Sequence, residues 1–129
     1  GGGVMAPLVL IVEDIEDNLM LTKSLLELAD FRVIEARDGR EALAQAQAHH
    51  PDLILLDMSL PEIDGWTVAR TLRQLPDFRS TLIVALTAHA MQGDREKTFD
   101  AGCDEFMTKP IDVPNFVPAV TKMLEGKRG

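Results

Sequence analysis

The 129-residue chain predicts a doubly wound α/β fold, a five-stranded parallel sheet with helices on both faces. Three observations predict it. Two short runs, Leu8–Val12 and Leu53–Asp57, stay apolar until their acidic ends, as do strands buried on both faces of a sheet. Runs of this kind alternate strictly with helical patterns over five units, which implies parallel pairing through right-handed crossovers. Finally, Glu13 and Asp14 follow the first run and Asp57 ends the other, so three carboxylates reach one rim of the sheet.

The elements follow in order. Leu8–Val12 is the first strand, and Leu21, Leu25 and Leu28, spaced i, i+4 and i+7, predict a helix with that stripe facing the core. Arg32–Ala36 is the second strand. Asp38-Gly39-Arg40-Glu41 reads as an N-cap with an acidic residue three positions on, opening a helix with Ala42, Leu43 and Ala46 on one face. After the third strand, Leu53–Asp57, Val68, Leu72 and Leu75 mark the next helix, and Leu82–Thr87 is the fourth strand. Residues 91–101 form a poorly amphipathic helix, with Gly93 inside it and Gly102 as its stop, expected to be the loosest. Glu105–Thr108 is the fifth strand. The last helix spans residues 113–125 with Phe116, Val117, Val120 and Leu124 inward, and Pro118 is expected to delay its start or kink it.

The commonest five-strand solution has order 2-1-3-4-5, the flavodoxin-like arrangement, with its ligand crevice at the carboxyl ends of strands one and three. Those are the strands that end in the acidic residues. Carboxylates held this closely resist ionising together unless a divalent cation or a lysine neutralises them. An oxygen-ligand cation such as Mg²⁺, which commonly partners a phosphate, is the economical solution. Thr87 ends the fourth strand and Lys109 follows the fifth, adding a hydroxyl and an ammonium to the same rim. Such a set can hold Mg²⁺ and a phosphoryl group while one carboxylate acts as nucleophile.

Composition narrows the function classes. A formal charge of −8 and a pI near 4.7 argue against direct nucleic-acid binding, which needs a basic footprint. Cys103 is the only cysteine, which suits a reducing cytosol, and it reads as a small half-buried residue rather than a reactive one. No apolar run approaches the roughly 18 residues of a membrane span. Residues 1–4 are read as a flexible leader or cloning remnant.

On these motifs the chain resembles the receiver domain of two-component response regulators over residues 7–125. The resemblance rests on Val12-Glu13-Asp14 with Asn18, Asp38-Gly39, Asp57 with Pro61 and Asp64-Gly65, Leu86-Thr87-Ala88, and Lys109-Pro110, five motifs in register. It is similar to single-domain regulators and to receivers of hybrid kinases, and implies a CheY-like sandwich. By position, the resemblance implies that Asp57 is the phosphoacceptor, becoming 4-aspartylphosphate. Asp14 is then a direct metal ligand, Glu13 a ligand through water, and Ser59 a ligand through its backbone carbonyl. Lys109 pairs with Asp57 or the phosphoryl oxygens, Thr87 hydrogen-bonds the phosphoryl group, and Lys109-Pro110 is a cis peptide. Phe106 takes the aromatic switch position, often tyrosine, and lacks the hydroxyl. The implied cofactor is Mg²⁺, with Mn²⁺ as a substitute.

The implied partners are a histidine kinase or histidine phosphotransfer protein upstream and a protein partner downstream, with neither nucleic acid nor membrane. The protein is expected to be cytoplasmic, a monomer or a phosphorylation-dependent dimer, and a switch that catalyses only its own phosphorylation and dephosphorylation. Ser59 and His89 are expected to tune the phosphoryl lifetime.

Each residue alone has a plainer reading. Asp57 could cap the next helix, Glu13 could be a loop acid, Thr87 could end a strand and Lys109 could be a solvated charge; their register together favours the site. His49-His50 reads as a helix end, Trp66 as a partly buried residue, and the six methionines as filler. Two other functions fit these residues less well. A phosphohydrolase of the haloacid-dehalogenase type needs a second acid where this chain has Ser59. A flavin carrier needs a phosphate loop, where Glu13-Asp14-Ile15-Glu16-Asp17 would repel a phosphate.

Overall fold

The computed structural model describes residues 6–88 and 92–128. Its elements run β1 (Leu8–Val12), α1 (Glu16–Leu28), β2 (Arg32–Ala36), α2 (Gly39–His49), β3 (Leu53–Asp57), α3 (Gly65–Gln74), a 3₁₀ turn (Pro76–Phe78), β4 (Leu82–Thr87), α4 (Gln92–Asp100), β5 (Glu105–Thr108) and α5 (Val113–Arg128). All five strands fall where the apolar runs place them. They pair in parallel in the order β2-β1-β3-β4-β5. His89 and Met91, the expected first residue of α4, lie outside the described residues.

Alternate side chains of the central strands feed two cores, because successive residues of a strand point to opposite faces. Leu10, Val12, Ile54 and Leu56 pack with Ala42, Ala46, Val68 and Leu72 of α2 and α3. Val9, Ile11, Leu53 and Leu55 pack with Leu19, Leu26, Phe116, Val120 and Leu124 of α1 and α5. Every residue of β1 and β3 is buried, which is why both runs are apolar up to Asp57 at the end of β3. The edge strand β2 is only partly buried and carries Arg32 and Glu35.

Helix α1 corrects the sequence reading. It buries Leu19, Thr22 and Leu26, while Leu21 is 42% and Leu28 is 83% exposed and Leu25 is half-buried. The helix carries two stripes at helical spacing, and the less apolar one is buried. The short connection through residues 13–15 sets the rotation of α1, because Glu13 must stay on the sheet rim. Thr22 tolerates burial because its hydroxyl donates to the Asn18 carbonyl at 2.8 Å.

The other helix ends follow local chemistry. Asp38 and Asp64 cap α2 and α3, accepting from the Glu41 and Thr67 amides at 2.8 Å each. Gly102 stops α4 at φ +102°, a backbone that L side chains rarely adopt. Helix α5 starts at Val113 and continues through Pro118, so its start is not delayed. Pro114, whose carbonyl loses its amide donor to the Pro118 ring, is exposed and open to water. Cys103 is buried rather than half-buried, and burial pushes its thiol up to about 12, which leaves it inert.

At the base of the molecule Arg73 ties three segments together. Its guanidinium donates to the carbonyls of Gly102 at 2.7 Å, Phe78 at 2.6 Å and Thr81 at 2.7 Å, and pairs with Asp104. Asp104 in turn accepts from the Ile83 amide at 2.9 Å. This clamp holds the start of β4 and the α4–β5 corner opposite the acidic rim.

Candidate functional site

Parallel register brings the carboxyl ends of four strands level, with Val12 beside Leu56, Asp57 beside Leu86 and Thr87 beside Thr108. The residues just beyond them remain tied to the sheet. Glu13 donates its amide to the Ala36 carbonyl at 3.0 Å, Met58 to Leu86 at 3.0 Å and Lys109 to Thr87 at 2.8 Å. The site is therefore built on strand ends, with little freedom to drift.

Glu13, Asp14 and Asp57 meet there, one carboxylate oxygen of each lying within 4.8 Å of the others. Glu13 and Asp57 are 2% and 1% exposed, whereas Asp14 is open to solvent. Lys109 Nζ reaches Asp57 Oδ1 at 2.9 Å and Glu13 Oε1 at 3.4 Å. The Ser59 amide also donates to Asp57 Oδ1, at 2.9 Å. The resemblance assigns Ser59 only its carbonyl, but an Asp side chain accepting from the amide two residues on is a familiar turn. Asp57 Oδ2 is buried with no hydrogen-bond partner among the described residues.

The electrostatics follow from this crowding. Burial, reinforced by the neighbouring Asp57 carboxylate, pushes the Glu13 carboxyl up to about 7, against the opposing pull of Lys109 and the Ile15 amide. Burial works against charge on Lys109, but the hydrogen bond and charge of Asp57, with Glu13, outweigh it and hold the ammonium above the usual lysine range. Three acids with one lysine leave the cluster short of positive charge. A hard divalent cation fits this set of oxygen donors.

Thr87 ends β4 on the same rim and is buried. The Lys109-Pro110 bond is cis, as the resemblance implied. A cleft of about 370 Å³ opens beside the carboxylates, lined by Glu13, Asn18, Leu86, Ala88 and Lys109. Phe106 stands apart from the acids on β5, half-buried, with the Phe99 ring edge-on at 6.1 Å.

Gly65 was legible only as part of a motif. The structure shows its physical role: a Cβ there would lie 2.7 Å from the Asp57 carbonyl oxygen and 2.4 Å from Met58 Sδ. The first turn of α3 thus rests directly on the backbone of Asp57.

Known proteins agree with this geometry. A profile of the response regulator receiver domain matches residues 9–121. The polar-differentiation response regulator DivK of Brucella ovis is 42% identical over 120 residues, covering 93% of this chain and 98% of that protein. Among solved structures, the receiver domain of a signal transduction histidine kinase from Syntrophus aciditrophicus is similar at TM-score 0.86 and 33% identity, covering 94% of this chain and 92% of that one. The receiver domain of the sensor histidine kinase PA1611 from Pseudomonas aeruginosa, solved with a magnesium ion coordinated in its active-site cleft, gives TM-score 0.85 and 32% identity, covering 93% and 98%. With the acidic triad, the lysine and the strand order all in place, the chain belongs to the receiver domains of two-component response regulators.

Proposed function

We propose that this chain is a phosphoacceptor switch in which Asp57 takes a phosphoryl group from a phosphohistidine on a histidine kinase or histidine phosphotransfer protein. The observation that carries the reading is the state of Asp57. One oxygen is held by Lys109 and the Ser59 amide, and the other is buried with no hydrogen-bond partner among the described residues. An oxygen with no donor bound to it keeps its lone pairs for phosphorus.

In the reaction an Asp57 carboxylate oxygen attacks phosphorus and the P–N bond breaks. The electron pair leaves on the imidazole nitrogen, and because the donor's other ring nitrogen carries a proton, the leaving group is neutral imidazole. Lys109, already 2.9 Å from Asp57 Oδ1, stabilises the added charge, and the Thr87 hydroxyl donates to the phosphoryl oxygens. Glu13, Asp14, Asp57 and the Ser59 backbone would hold Mg²⁺, with Mn²⁺ able to replace it. The cation, when bound, neutralises charge on the transferring phosphoryl group. Hydrolysis by water later resets the switch, and Ser59 borders its path.

Phosphorylation adds charge and acceptor oxygens beside Thr87 and Lys109, and a two-state element responds. Thr87 moves toward the phosphoryl group, Phe106 turns into the vacated space and α4 shifts with it. A downstream protein, or a second copy of the chain, reads the α4, β5 and α5 face. No helix among the described residues is long and apolar enough to cross a membrane, and a cytoplasmic phosphodonor suits this acceptor.

Intact mass after incubation with acetyl phosphate and Mg²⁺ tests the reading. The parent should gain one acid-labile phosphoryl group and Asp57→Asn none; an adduct on the mutant sinks the assignment.

A further inference from the structure

Helix α4 has little apolar face of its own. Within residues 94–100 only Thr98 is buried, and Phe99 is 42% exposed. Cations grip the helix from two sides instead. Arg95 lies over the Phe106 ring of β5 at 4.9 Å, and Lys97 Nζ lies over the Trp66 ring of α3 at 4.0 Å. Trp66 offers its face because its N–H edge is turned inward, where Nε1 is buried with no partner among the described residues. Lys97 also reaches the cap of α3. The Thr67 amide chiefly holds the Asp64 carboxyl below its usual range, and the charges of Arg70 and Lys97 add to it. The turn that Lys97 grips is the one resting on Asp57 through Gly65.

We infer that Lys97 is a latch: seated on Trp66, it holds α4 against α3 in the unphosphorylated protein and so sets how rarely α4 leaves that position. The inference rests on the phosphoacceptor reading. When Phe106 turns inward, Arg95 and Phe99 can follow the ring they touch on β5. Lys97 cannot, because its ring belongs to α3, so the contact favours the resting position alone. A partly exposed contact of this kind favours it about two- to five-fold. By linkage Lys97 weakens binding of a phosphoryl mimic by the same factor.

Amide NMR and hydrogen exchange on the full chain test this, with Lys97→Met, Lys97→Arg, Trp66→Leu and the variant carrying both Lys97→Met and Trp66→Leu compared with the parent, each with and without beryllofluoride and Mg²⁺. In Lys97→Met the ligand-free resonances of Phe106 and residues 94–100 should move part of the way toward their beryllofluoride-bound positions. Exchange across residues 94–100 should quicken about two- to five-fold, and apparent affinity for beryllofluoride should rise by the same factor. Lys97→Arg keeps a cation over the ring and should stay near the parent. Trp66→Leu should add little to Lys97→Met, since both remove one contact. Unchanged exchange and affinity in Lys97→Met, or fully additive effects of the two substitutions, overturn the latch. A parent that takes no phosphoryl group overturns the phosphoacceptor reading instead, while ligand-free exchange in Lys97→Met still decides the latch.

Discussion

Stripping divalent cations and raising the pH should destabilise this protein, and Glu13 sets the size of the effect. Its carboxyl, at about 7 in the folded chain against 4.5 for an unperturbed glutamate, holds its proton more tightly folded than unfolded. Between those values the native state carries more bound proton than the unfolded state, so stability falls as pH rises through the window and levels off above it. Glu13 is 2% exposed, so solvent screens little of this. At 1.36 kcal/mol per pH unit, the loss reaches about 3 kcal/mol, or about 10 °C in Tm for a domain of this size. Lys109 adds no slope here, because its raised value lies far above the window and its ammonium stays charged throughout. Saturating Mg²⁺ should favour ionised Glu13 and flatten the fall. The assay is urea unfolding in EDTA from about pH 5 to about pH 8, parent against Glu13→Gln, so that background titrations cancel. A parent whose stability, relative to Glu13→Gln, stays level or rises across that window refutes the reasoning.

Three further outcomes follow from particular contacts. Gly65→Ala drives a Cβ to 2.7 Å from the Asp57 carbonyl and the Met58 Cα, backbone atoms that cannot step aside cheaply. It should cost about 1–3 kcal/mol and slow phosphorylation by acetyl phosphate, and parent-like values in both assays would contradict the close packing. Arg73→Met leaves the carbonyls of Gly102, Phe78 and Thr81 without their donor, which should cost about 2–4 kcal/mol by urea unfolding; a loss below about 1 kcal/mol would show the clamp to be incidental. Thr87→Ala should still take a phosphoryl group at Asp57 yet lose the response around Phe106. Equal beryllofluoride-induced amide shifts in parent and mutant across residues 92–112 would defeat the coupling.

What the sequence determined by itself is the framework. Strands buried on both faces are apolar up to their last residue, so β1, β3 and β4 announce themselves, and strict alternation with helices leaves few topologies. The acids at the ends of β1 and β3 then had to meet, because neighbouring parallel strands share one rim. The N-cap at Asp38 was legible for a similar reason, since its chemistry is confined to four consecutive residues.

Only the tertiary structure decided the rest. Rotation of α1 depends on how the chain leaves β1, and the buried stripe, Leu19, Thr22 and Leu26, is less apolar than the Leu21, Leu25 and Leu28 stripe that periodicity favours. The bond from the Ser59 amide, the rest of Gly65 on Asp57 and the buried Oδ2 arise from distances of a few ångströms between backbone segments, which no periodicity encodes. The seat of Lys97 on Trp66 joins residues 31 positions apart on helices that do not adjoin in sequence. Local pattern reports what a segment buries; the partner it buries it against emerges only when the sheet has closed and both faces compete for the same side chains.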